Sequence, residues 1–156
     1  MLTKIISGGQ TGADRAALDA AIESGIAIGG SCPVGRMAED GPISEVYALT
    51  EIAAGYRQRT RQNVMDGDAT LIFYDSHPRG GTEATIAFCI KLHKPYKLID
   101  ISVVEVGRAS KLIHAFIHHS STRVLNVAGP SASKCPKVYS YVFETLRLLF
   151  QSTRRH

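Results

Sequence analysis

Five short apolar, β-rich segments punctuate the chain, at Leu2–Ser7, Ile26–Gly30, Ala69–Tyr74, Tyr96–Ile101 and Val124–Ala128. Each is close to a continuous apolar run rather than an alternation, which is the pattern of strands buried on both faces. Stretches with helical periodicity lie between them, at Ala13–Ser24, Thr82–His93, Val104–His119 and Pro136–Ser152, with a broken helical region over Ser44–Met65. Strand and helix in alternation predict an α/β fold with three layers, a mostly parallel central sheet of about five or more strands between helices. Crossovers in such a sheet are right-handed, and ligands gather at the carboxyl edge of its strands. No repeat, linker or low-complexity segment breaks the pattern, so residues 1–156 are read as one domain.

The turns that leave these strands carry the candidate chemistry. After the first strand comes SGGQTGAD, in which Gly8 and Gly9 permit a tight turn and keep side chains away from the backbone amides, with Gln10, Thr11 and Gly12 leading into a helix. The helix adds its own unpaired N–H groups and the positive end of its dipole, an arrangement suited to phosphate. Asp14 either caps that helix or holds a ribose hydroxyl or a cation. The stretch is neither GxGxxG nor GxxxxGK[ST], so by itself it specifies neither a dinucleotide nor a P-loop nucleotide. The design recurs after the third strand, where Gly80, Gly81 and Thr82 precede a helix, and after the fifth, where Gly129, Ser131 and Ser133 do. In a parallel sheet all three turns fall on one edge, which predicts a single pocket for a phosphate-bearing ligand.

A fourth segment, GGSCPVGRMAEDGPIS, is too long and too rich in glycine, proline and charge for a plain connection, and reads as a lid carrying Arg36, Glu39 and Asp40. In YRQRTRQNV, Arg59 and Asn63 are four apart and share a helix face, directed either at the ligand or at solvent. His77, before Pro78 in the second turn, is the histidine placed to face the pocket, whereas His118 and His119 adjoin at a helix end and diverge. Cys32 either touches a metal or packs as a small apolar residue, Cys89 falls among core residues, and Cys135 opens the last helix, whose N-terminus would lower its pKa.

Composition narrows the classes. Hydrophobic residues make up 44% and charged residues 21%, as in ordinary globular proteins. The three cysteines are far apart with no CxxC pair, which suggests neither a disulfide framework nor a structural zinc site, and no permanent metal is expected. No apolar run is long enough to span a bilayer, and the expectation is a cytoplasmic protein with no membrane association. The formal charge of +4 includes Arg154, Arg155 and His156 at the C-terminus; with no basic stripe interleaved with aromatics, it suits a small anion rather than nucleic acid. The last helix, KVYSYVFETLRLLFQ, is apolar on more than one side, which predicts a homo-oligomer.

Taken in order, SGGQTGADRAALDAA, GGSCPVGRMAEDGPI, YRQRTRQNV, DATLIFYD, RGGTEAT and LNVAGPSASKCPKVY resemble the molybdenum carrier protein family, a circularly permuted YpsA-like branch of the SLOG superfamily related to lysine decarboxylase-like proteins. The resemblance implies a Rossmann-like fold that binds nucleotide-derived or pterin-type phosphorylated ligands. It places ligand contacts at Gly8, Gly9, Gln10, Thr11, Gly12, Gly80, Gly81, Thr82, Gly129, Ser131 and Ser133. The carrier name derives from similarity to algal proteins that bind molybdenum cofactor, a molybdopterin with a terminal phosphate. Superfamily relatives that release base from nucleoside monophosphates carry a PGGxGTxxE loop. Here RGGTEAT keeps GGT and a nearby glutamate, Glu83, but lacks the PGG start, the second glycine and the glutamate spacing.

Three readings follow. The first is a binding or carrier protein for molybdenum cofactor or a related phosphorylated ligand, serving a molybdoenzyme or cofactor-biosynthesis partner. The second is a nucleoside-monophosphate N-glycoside hydrolase, in which Glu83 would orient ribose or activate water while Arg36 and Arg79 hold phosphate. The third is a nucleotide-sensing module read by another protein.

Overall fold

The apolar runs pair as a parallel sheet whose central strands are buried and whose two edge strands are partly exposed. The computed structural model describes residues 1–155, leaving His156 outside the described residues. Its elements run β1 (Lys4–Ile6), α1 (Ala13–Glu23), β2 (Ala27–Gly29), β3 (Ser31–Pro33), β4 (Thr50–Ile52), α2 (Tyr56–Asp66), β5 (Ala69–Tyr74), α3 (Gly81–Lys91), β6 (Tyr96–Asp100), α4 (Val106–His119), β7 (Val124–Ala128) and α5 (Val138–Arg154). The main sheet has 5 strands in the order β2-β1-β7-β5-β6, every neighbouring pair parallel. The register sets Ile5 opposite Ile28 and Leu125, and Leu71 opposite Lys97 and Val127.

Counted as though β7 came first and β1, β2, β5 and β6 followed, this order reads 3-2-1-4-5, the arrangement of a doubly wound sheet. The last strand in sequence is therefore the central strand in space. Helices α1, α4 and α5 pack together on one face and α2 and α3 on the other, giving the three layers. The chain leaves β5 for α3 and leaves β7 for α5, toward opposite faces, so a crevice opens between the carboxyl ends of these two neighbouring strands.

Side-chain size explains the layer that holds α1. Ala13, Ala16, Ala17, Ala20 and Ala21 are buried against the sheet and α5. Alanine lets the backbones approach closely while favouring the helix. On α5, Val138, Val142, Leu146 and Leu149 are buried in this core, and Tyr139, Tyr141 and Phe143 pack on its margins. Because α5 lies against both α1 and α4, much of its wide apolar circumference is covered within the chain. The breadth of that surface therefore does not itself call for a second subunit.

Two features differ from the sequence expectation. The broken region Ser44–Met65 is helical only from Tyr56, where the Gln58 side chain accepts from the Gly55 N–H at 2.8 Å, the glutamine half of a capping box. Ahead of it, β4 pairs with β3 as a separate 2-stranded parallel sheet. Strands of 3 residues are too short to show a periodicity.

Asp19 on α1 clasps the long loop between β3 and β4 (residues 34–49) to the last helix, accepting hydrogen bonds from the Tyr47 hydroxyl at 2.5 Å and from the Tyr139 hydroxyl. Burial and then the Asp19 bond push the Tyr47 phenol up to about 12 and raise that of Tyr139 as well, so both remain donors. Tyr139→Phe is expected to lower stability by about 1.5–3 kcal/mol in chemical denaturation, the scale of a hydrogen bond to a charged acceptor.

Candidate ligand site at the carboxyl edge

The turns after β1, β5 and β7 meet at the crevice and enclose a cavity of about 850 Å³. From the first turn, Gly8, Gln10, Thr11 and Asp14 line it. Gly9 and Gly12 do not, although both have positive φ, +73° and +83°. A Cβ on Gly9 would meet Leu49 Cδ1 at 2.5 Å, because the long loop packs there. A Cβ on Gly12 would lie 2.4 Å from the Pro130 carbonyl and 2.8 Å from the Ala132 nitrogen. That close approach joins the first turn to the third. Ala13 N–H donates to the Pro130 carbonyl at 3.2 Å, and Ala132 N–H donates to Thr11 Oγ1 at 3.1 Å.

The third turn contributes Gly129, Ser131 and Ser133, followed by Lys134 and Cys135. From the second turn, Gly81 and Thr82 line the cavity, with His77 and Arg79 beside them. Gly80 sits behind as the N-cap of α3, at φ +52°. Glu83 is exposed and does not line the cavity.

Arg36 is also outside the lining. Its buried guanidinium donates to the carbonyls of Ile43, Ser44 and Tyr47 at 2.9, 2.7 and 2.6 Å, so its donors stabilise the loop rather than a ligand. Cys135 reaches the cavity, but burial and the nearby Asp75 carboxylate raise its thiol pKa, the opposite of the expected lowering. It lies ahead of the helix, not on its first turn. Cys32 is fully buried in β3 with a raised pKa, and Cys89 is core. His118 and His119 lie in the last turn of α4, away from the cavity.

Arg59 and Asn63 both line the cavity from α2. Asn63 is buried, accepting from the Ser31 N–H at 2.8 Å and donating to the Ser31 carbonyl at 3.1 Å. It thus completes the backbone pairing where the chain leaves Gly30. Tyr56, Thr60, Thr85 and Asn126, which lie within the quoted segments but bear no sign of a site role there, complete parts of the wall. Lys134 is legible in GPSASKCP as a cation within the third glycine-bearing turn.

The electrostatics are mixed. Arg59, Arg79 and Lys134 offer positive charge around the cavity, while Asp75 lies 3.5 Å from Lys137. Burial raises the Asp14 pKa to about 7, against the lowering effects of N–H donation from Gln10 and Gly8 and of the Arg15 charge. Near neutral pH this carboxyl can either donate or accept. Among the described residues, no group of three or more His, Cys, Asp and Glu side chains is placed to hold a metal ion.

A doubly wound parallel sheet with glycine turns converging on a cavity at its switch point defines a Rossmann-like fold with a candidate ligand cavity. The chain belongs to the circularly permutated YpsA SLOG family, whose model matches residues 5–150. The permutation is visible in the sheet, where position 1 of the 3-2-1-4-5 order is taken by the last strand in sequence. A solved structure from Syntrophus aciditrophicus SB, named "Putative molybdenum carrier protein", superposes with a TM-score of 0.93 at 43% identity, covering 95% of this chain and 94% of that one. No curated protein matches the chain. Among the described residues, no helix is long and apolar enough to cross a membrane.

Proposed function

We propose that the chain binds a phosphorylated small molecule in this cavity and holds it without transforming it, with molybdenum cofactor as the leading ligand. The observation that carries the reading is the convergence of three strand-to-helix turns, with their small residues and hydroxyls, on one cavity flanked by Arg59, Arg79 and Lys134. Such turns bind the phosphate end of a ligand, while a volume of about 850 Å³ leaves room for a heterocycle beyond it. The solved neighbour's name supports a molybdenum-related cargo. A carrier of this kind would act in the cytoplasm and pass its ligand to a molybdoenzyme or to a cofactor-biosynthesis enzyme.

The hydrolase reading has less support, because Glu83 stands outside the cavity and Arg36 is engaged by loop carbonyls. Mass spectrometry of the protein purified anaerobically from its own host, first intact and then denatured, tests the proposal. Recovery of a molybdopterin species is expected, falling at least about tenfold in Arg79→Glu/Lys134→Glu, which reverses the charge at the phosphate end. Recovery of unphosphorylated ligand, or turnover of nucleoside monophosphates by the purified chain, would overturn it.

A further inference from the structure

The long loop brings an anion of its own to the turns that form the cavity. Its neck is fixed by the Arg36 guanidinium on three loop carbonyls and by buried Ile43, beside Gly9. Between them, residues 37–42 include no buried residue. This tip is held down by polar contacts: Gln10 Nε2 donates to the Met37 carbonyl at 3.1 Å, Arg15 pairs with Asp40 at 2.9 Å, and Glu39 reaches the third turn. The glycines near its two ends, Gly35 and Gly41, have φ of +83° and +107°, and no atom crowds Gly41 within 4 Å.

Glu39 makes the informative contact. One carboxylate oxygen accepts from the Ser133 N–H at 3.1 Å and from the Thr11 hydroxyl, and the other accepts from the Ser133 hydroxyl at 2.6 Å. These donors, drawn from the first and third turns, favour the ionised form and hold its pKa below the ordinary value. A phosphate oxyanion would use the same N–H and hydroxyl groups.

We propose that Glu39 is a built-in competitor for the ligand's phosphate: its carboxylate closes the 37–42 tip as a strap over the anion subsite, and an incoming phosphate opens the strap by taking the Thr11 and Ser133 donors. The inference rests on the phosphate-binding reading above and adds regulation to that site. Binding exchanges one anion for another, so the apparent affinity is reduced by the population of the strapped state. The strap thereby selects ligands whose phosphate carries more charge than a carboxylate and gives the ligand a route for release.

The test is a titration of sodium phosphate into the isotope-labelled full chain at constant ionic strength, following backbone amide resonances. Glu39→Ala is expected to bind phosphate about tenfold more tightly than the unaltered protein, with Glu39→Gln intermediate because it keeps an acceptor. In the unaltered protein, the Met37 and Gly41 amides should move with the same Kd as Ser133, toward their positions in phosphate-free Glu39→Ala. Glu45→Gln removes the same charge from a side chain that is 92% exposed and does not reach these donors, and should change affinity less than about twofold. Equal or weaker binding in both Glu39 variants, with Ser133 still responding, overturns the strap and leaves the anion site standing. A Ser133 amide unmoved in every protein overturns both.

Discussion

Gly12→Ala is expected to lower stability by about 3–5 kcal/mol in denaturant unfolding and to abolish ligand binding in whatever fraction still folds. Two costs combine at this position. The backbone has φ +83° and ψ −127°, the mirror image of an extended conformation, which glycine adopts freely and an L side chain does not. The added methyl would also fall 2.4 Å from the Pro130 carbonyl and 2.8 Å from the Ala132 nitrogen, both main-chain atoms that cannot rotate away. Relief requires the first and third turns to part, breaking the Ala132 to Thr11 hydrogen bond and widening the floor of the cavity. Gly41→Ala isolates the first cost, since φ is +107° there with open space around it, and should lose only about 1 kcal/mol. Similar losses in the two variants would show that backbone conformation, not collision, governs Gly12.

The second large effect concerns pH and Asp14. Burial raises its pKa in the folded chain to about 7 from the ordinary 3.8, so between those values the folded state holds a proton that the unfolded state has released. Stability contributed by this group therefore falls as pH rises through that window and levels off above the folded pKa. From pH 5.5 to 8.5 the loss is about 2 kcal/mol, because roughly 1.5 pH units of that interval lie below the folded pKa. Asp14→Asn keeps an oxygen to accept from the Gln10 N–H and cannot ionise, so its stability curve should be flatter by about that amount. Denaturant midpoints of both proteins across this range make the comparison. Parallel curves would mean that the carboxylate is solvated in the folded chain.

The three central strands β1, β5 and β7 were legible because burial on both faces demands continuous apolar runs, whereas the edge strands β2 and β6 are partly exposed and show only as short apolar-leaning segments. The three turns were legible for a different reason. Glycine is written into a chain where φ is positive or another backbone comes close, as at Gly12 and Gly80. The distribution of labour within the turns was not legible. Arg36 reads as a phosphate ligand by charge and position, yet the carbonyls that engage it were unmarked. Glu83 reads as catalytic beside its glycines, yet the start of α3 turns it outward.

By itself, then, the sequence determined the α/β class, the three glycine-bearing turns and, through the order of its motifs, the family. Those features arise from burial patterns and backbone conformations that each residue type records locally. Tertiary structure alone decided that β7 is the central strand, that Asn63 pairs with the Ser31 backbone, and that Glu39 meets Ser133 across 94 positions of chain. A contact between distant residues depends on where two backbones are carried by the whole sheet, and neither residue bears a mark of its partner.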